Sequence, residues 1–85
     1  MSSLESDWFV YILKCCDNTL YTGITVDLLR RVDEHNGSPK GAKYTKARRP
    51  VELLYSEKCD DKSSASKREI AIKKLSKIKK LELVG

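Results

Sequence analysis

The sequence predicts an α+β domain built on a small antiparallel sheet, and three observations carry that expectation. Apolar periodicity changes along the chain in the order strand, strand, helix, strand, helix. The first two strand-like segments are separated only by Cys16-Asp17-Asn18, a turn-forming triplet that reads as the tip of a hairpin. The 85 residues suffice for one domain with one modest core, since a chain this short buries only roughly 60–65% of its unfolded surface. Residues 1–7 are expected to form a disordered tail, and residues 8–85 the single domain. At 40% apolar and 34% charged residues the composition is that of a soluble globular chain, with no apolar run near the roughly 20 residues of a membrane span. The segment Met1 to Asp7 lacks a basic patch followed by an apolar stretch, so the expected location is cytoplasmic.

Residues 8 to 14, Trp8-Phe9-Val10-Tyr11-Ile12-Leu13-Lys14, are almost continuously apolar and rich in aromatic and β-branched types, which suits a central strand buried on both faces. Thr19 to Thr25 returns as the second strand. Tyr11 and Tyr21 then lie on opposite strands near the middle of the hairpin, and whether they share a face depends on a register that the turn does not set. Taken alone they are ordinary strand aromatics, and Gly23 is either a strand end or bulge or a point of close backbone approach to a ligand. Asp27 offers a helix cap, and the helix to about His35 is expected to turn Leu28, Leu29 and Val32 inward and Arg30, Asp33 and Glu34 outward. Arg31 and His35, four residues apart, share one flank of that apolar stripe.

From Asn36 to Pro50 the breakers Gly37, Pro39, Gly41 and Pro50 predict an irregular loop. Within it Lys40, Lys43, Lys46, Arg48 and Arg49 surround Tyr44 without an intervening acid, which suits phosphate neutralisation and stacking on a base as well as a solvated loop. Val51 to Glu57 forms a third strand. Ser63 or Ser64 then caps a helical stretch in which Ala65, Ala71, Ile72, Leu75 and Ile78 face the core, with Ser76 a point of division into two helices. Glu69 sits near the edge of that stripe, where an ion pair to Lys73 at i+4 is the plain structural reading. Charge is uneven: residues 62–85 hold eight Lys or Arg against two Glu, while residues 1–61 nearly balance at nine positive and ten negative. Such a basic end suits a polyanion partner or a solvated helix. The three cysteines, two of them adjacent, are poor metal ligands and read as reduced thiols.

Phe9-Val10-Tyr11, Tyr21-Thr22-Gly23, Arg31 eight residues after that glycine, His35 four further on and Glu69 in a later helix together resemble the GIY-YIG nuclease domain. The likeness runs from Trp8 to Val84 and includes His35-Asn36, the Gly41-Ala42-Lys43-Tyr44-Thr45 loop and Arg68-Glu69. It implies a three-stranded antiparallel sheet flanked by helices and hydrolysis of a phosphodiester with one divalent cation, Mg²⁺ or Mn²⁺. Glu69 is then the implied metal ligand, a hard oxygen donor for a hard cation. Arg31 is implied to pair with the scissile phosphate, Tyr21 to orient or deprotonate the attacking water with Tyr11 beside it, and His35 to assist proton transfer. The sequence departs from the family pattern at Phe9-Val10, where the family name has glycine and isoleucine, and at Thr22, where it has isoleucine. Leu81 stands near the place, roughly a dozen residues after the glutamate, where many longer relatives carry an asparagine.

The resemblance therefore implies a metal-dependent endonuclease that cuts DNA with little sequence specificity, in DNA repair or recombination, with RNA as a second candidate substrate, no membrane partner and a role for a targeting protein. The alternative from another class is a nucleic-acid-binding or partner-binding module that keeps the fold with little or no catalysis.

Overall fold

The computed structural model describes residues 7–84. The tail expected over residues 1–7 lies outside the described residues except for Asp7, which is exposed and pairs with Lys58 at 3.4 Å. The chain runs β1 (Trp8–Lys14), β2 (Leu20–Thr25), α1 (Leu28–Gly37), α2 (Lys43–Lys46), β3 (Glu52–Cys59), α3 (Lys62–Lys73) and α4 (Lys77–Val84). The three strands form one antiparallel sheet in the order β2-β1-β3. The most continuously apolar strand is thus the central one, because only there do both faces and both edges leave water.

The hairpin turn closes as its residues dictate. The Asp17 carboxylate accepts from the Thr19 amide at 3.2 Å and from the Thr19 hydroxyl at 2.6 Å, while Asn18 takes a left-handed φ of 71°, a conformation asparagine tolerates better than most residues. The resulting register sets Tyr11 opposite Gly23 and Leu13 opposite Tyr21. Since side chains alternate along a strand, Tyr11, Leu13, Tyr21 and Gly23 share one face, and Val10, Ile12, Thr22 and Ile24 the other.

Each face has its own apolar cluster. Tyr11, Leu13, Cys15 and Val51 pack with Tyr21 and with Leu28 and Val32 of α1. Across the sheet Val10, Ile12 and Ile72 pack with Leu20, Ile24, Leu54, Tyr55, Cys59 and Leu83, so α3 and α4 cover that side. The α3 helix is tied to β3 by Arg68, whose Nε donates to Glu57 Oε1 at 2.6 Å, while the Tyr55 hydroxyl donates to Glu57 Oε2. Burial opposes the Glu57 charge, yet the Arg68 and Tyr55 hydrogen bonds prevail and hold its carboxyl below the usual glutamate range.

Four local expectations are corrected. Leu29 is 79% exposed, because the inward ridge of α1 is Leu28, Val32 and His35 at i, i+4 and i+7, and Leu29 is turned about 100° away from its start. Ala71 is likewise exposed and Ile78 is 71% exposed, since Ala65 and Ile72 define the ridge of α3 that meets the sheet and α4 starts on a new axis beyond Ser76. The stretch from Asn36 to Pro50 is not irregular throughout: α1 continues through Gly37, and Lys43–Lys46 form one helical turn. The cap of α3 is Asp61, whose carboxylate accepts from the Ser64 amide at 2.8 Å, in place of Ser63 or Ser64. A carboxylate at that place also suits the positive helix end. Among the described residues no helix is long and apolar enough to cross a membrane.

Candidate functional site

On the α1 side of the sheet three tyrosine rings and a buried histidine form one cluster. Tyr11 and Tyr21 sit diagonally across the hairpin with ring centres 6.5 Å apart. His35, carried inward on the last turn of α1, meets both rings edge-on at 5.9 and 5.2 Å. Tyr44, from α2, stacks on Tyr21 at 5.9 Å. Room for the Tyr11 ring exists because its strand partner is glycine: a Cβ at Gly23 would lie 2.5 Å from the Tyr11 hydroxyl. The close approach left open at Gly23 is therefore to the protein's own tyrosine, with no ligand needed to explain it.

The polar atoms of this cluster are joined in a chain. The Tyr11 hydroxyl lies 2.8 Å from His35 Nε2, and His35 Nδ1 lies 2.7 Å from the Thr45 hydroxyl, which donates to the Ala42 carbonyl at 2.9 Å. Tyr11, His35 and Thr45 are all fully buried. Burial pushes the Tyr11 hydroxyl up to about 12, and the Arg31 guanidinium beside it only partly counters that. Burial, with Arg31 adding repulsion, pulls His35 down to about 4. Both groups are neutral near pH 7.

Arg31 stands at the rim. Its Nη1 donates to Glu34 Oε1 at 2.8 Å and to the Lys40 carbonyl at 2.9 Å. Partial burial works against its charge, but Glu34 and Tyr11 outweigh this and raise its pKa above the usual arginine value. Beside it opens a small cavity of about 130 Å³ lined by Thr25, Val26, Asp27, Arg30, Arg31 and Glu34. A larger one of about 360 Å³, lined by Lys14, Cys15, Cys16, Pro50, Val51 and Glu52, contains none of the residues named for chemistry.

Glu69 belongs to the other layer, on α3. It lies between Ala65 and Ile72 on the sheet-facing ridge of α3, its side chain only 22% exposed. Its carboxylate pairs with Lys73 Nζ at 3.2 Å, the i+4 contact read from the sequence. Its negative charge is nonetheless felt at the Tyr11 hydroxyl, where it adds a small upward push to the pKa. Among the described residues no three His, Cys, Asp or Glu side chains cluster to hold a metal, so Glu69 would act as a single carboxylate ligand. A hard oxygen donor that is half-buried fits an ion of the Mg²⁺ type, which keeps most of its coordination as water.

The basic loop divides into two groups. Arg49 turns back on α1, donating to the carbonyls of His35, Glu34 and Ser38 at 2.5, 3.3 and 2.7 Å, so it caps the helix that carries Arg31 and His35. Gly41 permits this fold-back, since a Cβ there would lie 2.6 Å from the Glu34 carbonyl oxygen. Arg48 sits 3.9 Å over the Tyr44 ring and pairs with Asp17 at 3.0 Å, so much of the stacking surface of Tyr44 is used within the protein. Lys40 and Lys46 are exposed on the same loop, as is Lys43, with no ion pair from these side chains among the described residues.

Three contributors carried no role in the sequence reading. Thr45 and Asn36 lay inside quoted motifs without a chemical assignment, and Glu34 was placed on the outer face. Asn36 brackets Val51, donating to its carbonyl at 2.9 Å and accepting from its amide at 2.6 Å, and so joins α1 to the start of β3. Glu34 holds Arg31 in place.

Comparison with known proteins bears on the family and the fold. The model of the GIY-YIG catalytic domain matches residues 7–82. A UPF0213 protein of Desulfotalea psychrophila is 62% identical over 77 residues, covering 91% of this chain and 70% of the relative. One of Syntrophus aciditrophicus is 54% identical over 76 residues, covering 89% and 87%. Among solved structures, a solution NMR structure of a UPF0213 protein from Bacillus halodurans aligns with a TM-score of 0.57 at 44% identity, covering 92% of this chain and 82% of that one. A solution NMR structure of an E. faecalis protein aligns with a TM-score of 0.61 at 41% identity, covering 93% and 84%. With a family model spanning nearly all of its sequence and relatives sharing more than half of their residues over most of its length, the chain belongs to the GIY-YIG family, as a small UPF0213-type member.

Proposed function

We propose that this protein is a divalent-metal-dependent endonuclease that hydrolyses DNA phosphodiester bonds with little intrinsic sequence specificity. The observation that carries the reading is the gathering of the Tyr11 hydroxyl, the Tyr21 ring and the Arg31 guanidinium around one buried histidine, with the Glu69 charge within electrostatic reach. Arg31, fixed through Nη1, keeps the rest of its guanidinium for a phosphate oxygen, where a positioned cation stabilises charge that grows in the transition state. Tyr21, only partly buried, orients the attacking water by hydrogen bonding, and Tyr11 behind it is a fully buried phenol that stays neutral at physiological pH. His35, as a neutral partner, steadies that phenol. Glu69 would hold Mg²⁺ or Mn²⁺ once Lys73 releases it, and the ion, when bound, supplies positive charge at a phosphate oxygen.

Lys40, Lys43 and Lys46 on the loop, with the lysine-rich α3 and α4, provide backbone contacts that carry no sequence information. Weak specificity follows, and a partner protein would supply targeting in repair or recombination. The setting is the cytoplasm, with RNA as the competing substrate.

The test is cleavage of linear, single-stranded and branched DNA with Mg²⁺ or Mn²⁺ by wild type, Glu69→Gln and Arg31→Ala. Wild type is expected to cut only with metal, and each variant to lose about 100-fold or more, the scale of a transition-state contact. Equal rates in all three sink the chemistry. The Glu69–Lys73 pair and the exposed Leu81 favour a second reading, a binding module without turnover. Salt-sensitive DNA binding with no metal-dependent product in any form would establish that instead.

A further inference from the structure

Thr45 is fully buried and so out of reach of a phosphate, at the end of the chain of hydrogen bonds that reaches Tyr11. Its hydroxyl has one proton, and that proton goes to the Ala42 carbonyl, 2.9 Å away, an atom that can only accept. Toward His35 the Thr45 oxygen is therefore the acceptor, and the proton in the 2.7 Å contact belongs to His35 Nδ1. A neutral imidazole carries one N–H, so Nε2 presents a lone pair. The Tyr11 hydroxyl, 2.8 Å from Nε2, must then donate to it.

We propose that Thr45 is a positioning residue that fixes the tautomer of His35 and thereby makes Tyr11 spend its proton on His35 and meet the Arg31 guanidinium only as a hydrogen-bond acceptor. This rests on the nuclease reading for its purpose, although the tautomer itself does not. The opposite tautomer would turn His35 Nε2–H onto the Tyr11 oxygen, beside an arginine that also only donates. The buried phenol proton would then be left without an acceptor and would push against the guanidinium that is meant to hold the phosphate. With the assigned arrangement Tyr11, His35 and Thr45 each find a partner, and the only buried side-chain polar atom without one among the described residues is Thr22 Oγ1, on the other face of the sheet.

His35 is the only histidine in the chain, so its ring nitrogens can be read without ambiguity. Long-range ¹H–¹⁵N correlation spectra of uniformly ¹⁵N-labelled protein at pH 7 are expected to show Nδ1 protonated and Nε2 bare. The reverse pattern in wild type overturns the proposal before any DNA is added. Thr45→Val keeps the shape and removes the acceptor. It is expected to populate the other tautomer and to lower Mg²⁺-dependent DNA cleavage about ten-fold, the scale of one hydrogen bond. Thr45→Ser restores both. A Thr45→Val protein with the wild-type tautomer and rate also overturns it. Should Thr45→Val fail to fold, the wild-type and Thr45→Ser spectra still decide the assignment. If wild-type protein does not cut DNA while the tautomer follows Thr45, the nuclease reading fails and the structural role of Thr45 stands.

Discussion

On one side of β1, Val10 and Ile12 meet Ile72 and other aliphatic groups, whereas on the other side Tyr11, one residue away from both, meets His35, Arg31 and the Thr45 chain. The same seven-residue strand therefore supplies apolar packing to one layer and a buried polar cluster to the other. The difference shows how so small a domain supports a buried polar cluster. A network that must order neutral phenol, imidazole and hydroxyl groups gains little net stability from its hydrogen bonds, and the apolar layer behind it holds the strand in place. Stability should be concentrated on the α3 side and function on the α1 side, with Glu69 as the one proposed catalytic group that crosses from the first layer to the second.

The largest break in that comparison comes from Ile72→Ala. Ile72 is fully buried against Val10 and Ile12, and truncation removes its transfer energy and leaves a cavity. A loss of about 2–5 kcal/mol is expected in urea unfolding, with the His35 spectrum of the folded fraction unchanged. A shifted His35 spectrum would mean that the layers are not separable.

Next in size is the acid response of the other layer. His35 titrates at about 4 in the fold against an ordinary value of 6.5, so the folded state binds its proton later than the unfolded chain does. Above pH 6.5 both states are neutral there and the histidine contributes no slope. As pH falls from 6.5 through about 4 the unfolded chain gains the proton first, and stability drops by on the order of 3 kcal/mol. Urea midpoints at pH 7, 5.5 and 4.5 should fall accordingly in wild type and much less in His35→Gln. Equal midpoints at pH 7 and 4.5 in wild type would remove the case for a buried neutral imidazole.

Much of the α1-side site was legible because it is written in fixed spacings. The two tyrosines, Gly23, Arg31 and His35 could be named from their order, and the central place of β1 from its unbroken apolar run. What escaped depended on directions that a sequence does not carry. Leu28, Leu29 and Val32 are equally apolar, and only the position of the sheet decides that Leu29 is left in water while His35 goes in. A run of basic residues has the same charge whether it is solvated or, like Arg49, bound to helix carbonyls. Thr45 is one hydroxyl among many until its partner is seen to be buried with it. The caps were closer to hand, since Asp27 was found, but Asp61 lost out to two neighbouring serines of equal capping ability.

The smallest effect is a gain, and it sharpens the contrast from the apolar side. Thr22 lies opposite Ile12, on the face covered by α3, and its Oγ1 is buried without a partner. A hydroxyl stripped of water with nothing to bond costs folding free energy, while its methyl already fits the apolar surroundings. Thr22→Val keeps the branched shape and removes the orphan oxygen, and should raise stability by about 1 kcal/mol, read as a higher urea midpoint at unchanged slope. Because Gly23, the neighbour that seats Tyr11, projects to the opposite face, the His35 spectrum and any cleavage activity should stay as in wild type. A Thr22→Val protein that is less stable would show that the hydroxyl does have a partner, such as a bound water. One that is more stable but loses the Tyr11–His35 contact would show that β2 transmits changes from the packing layer to the chemical one.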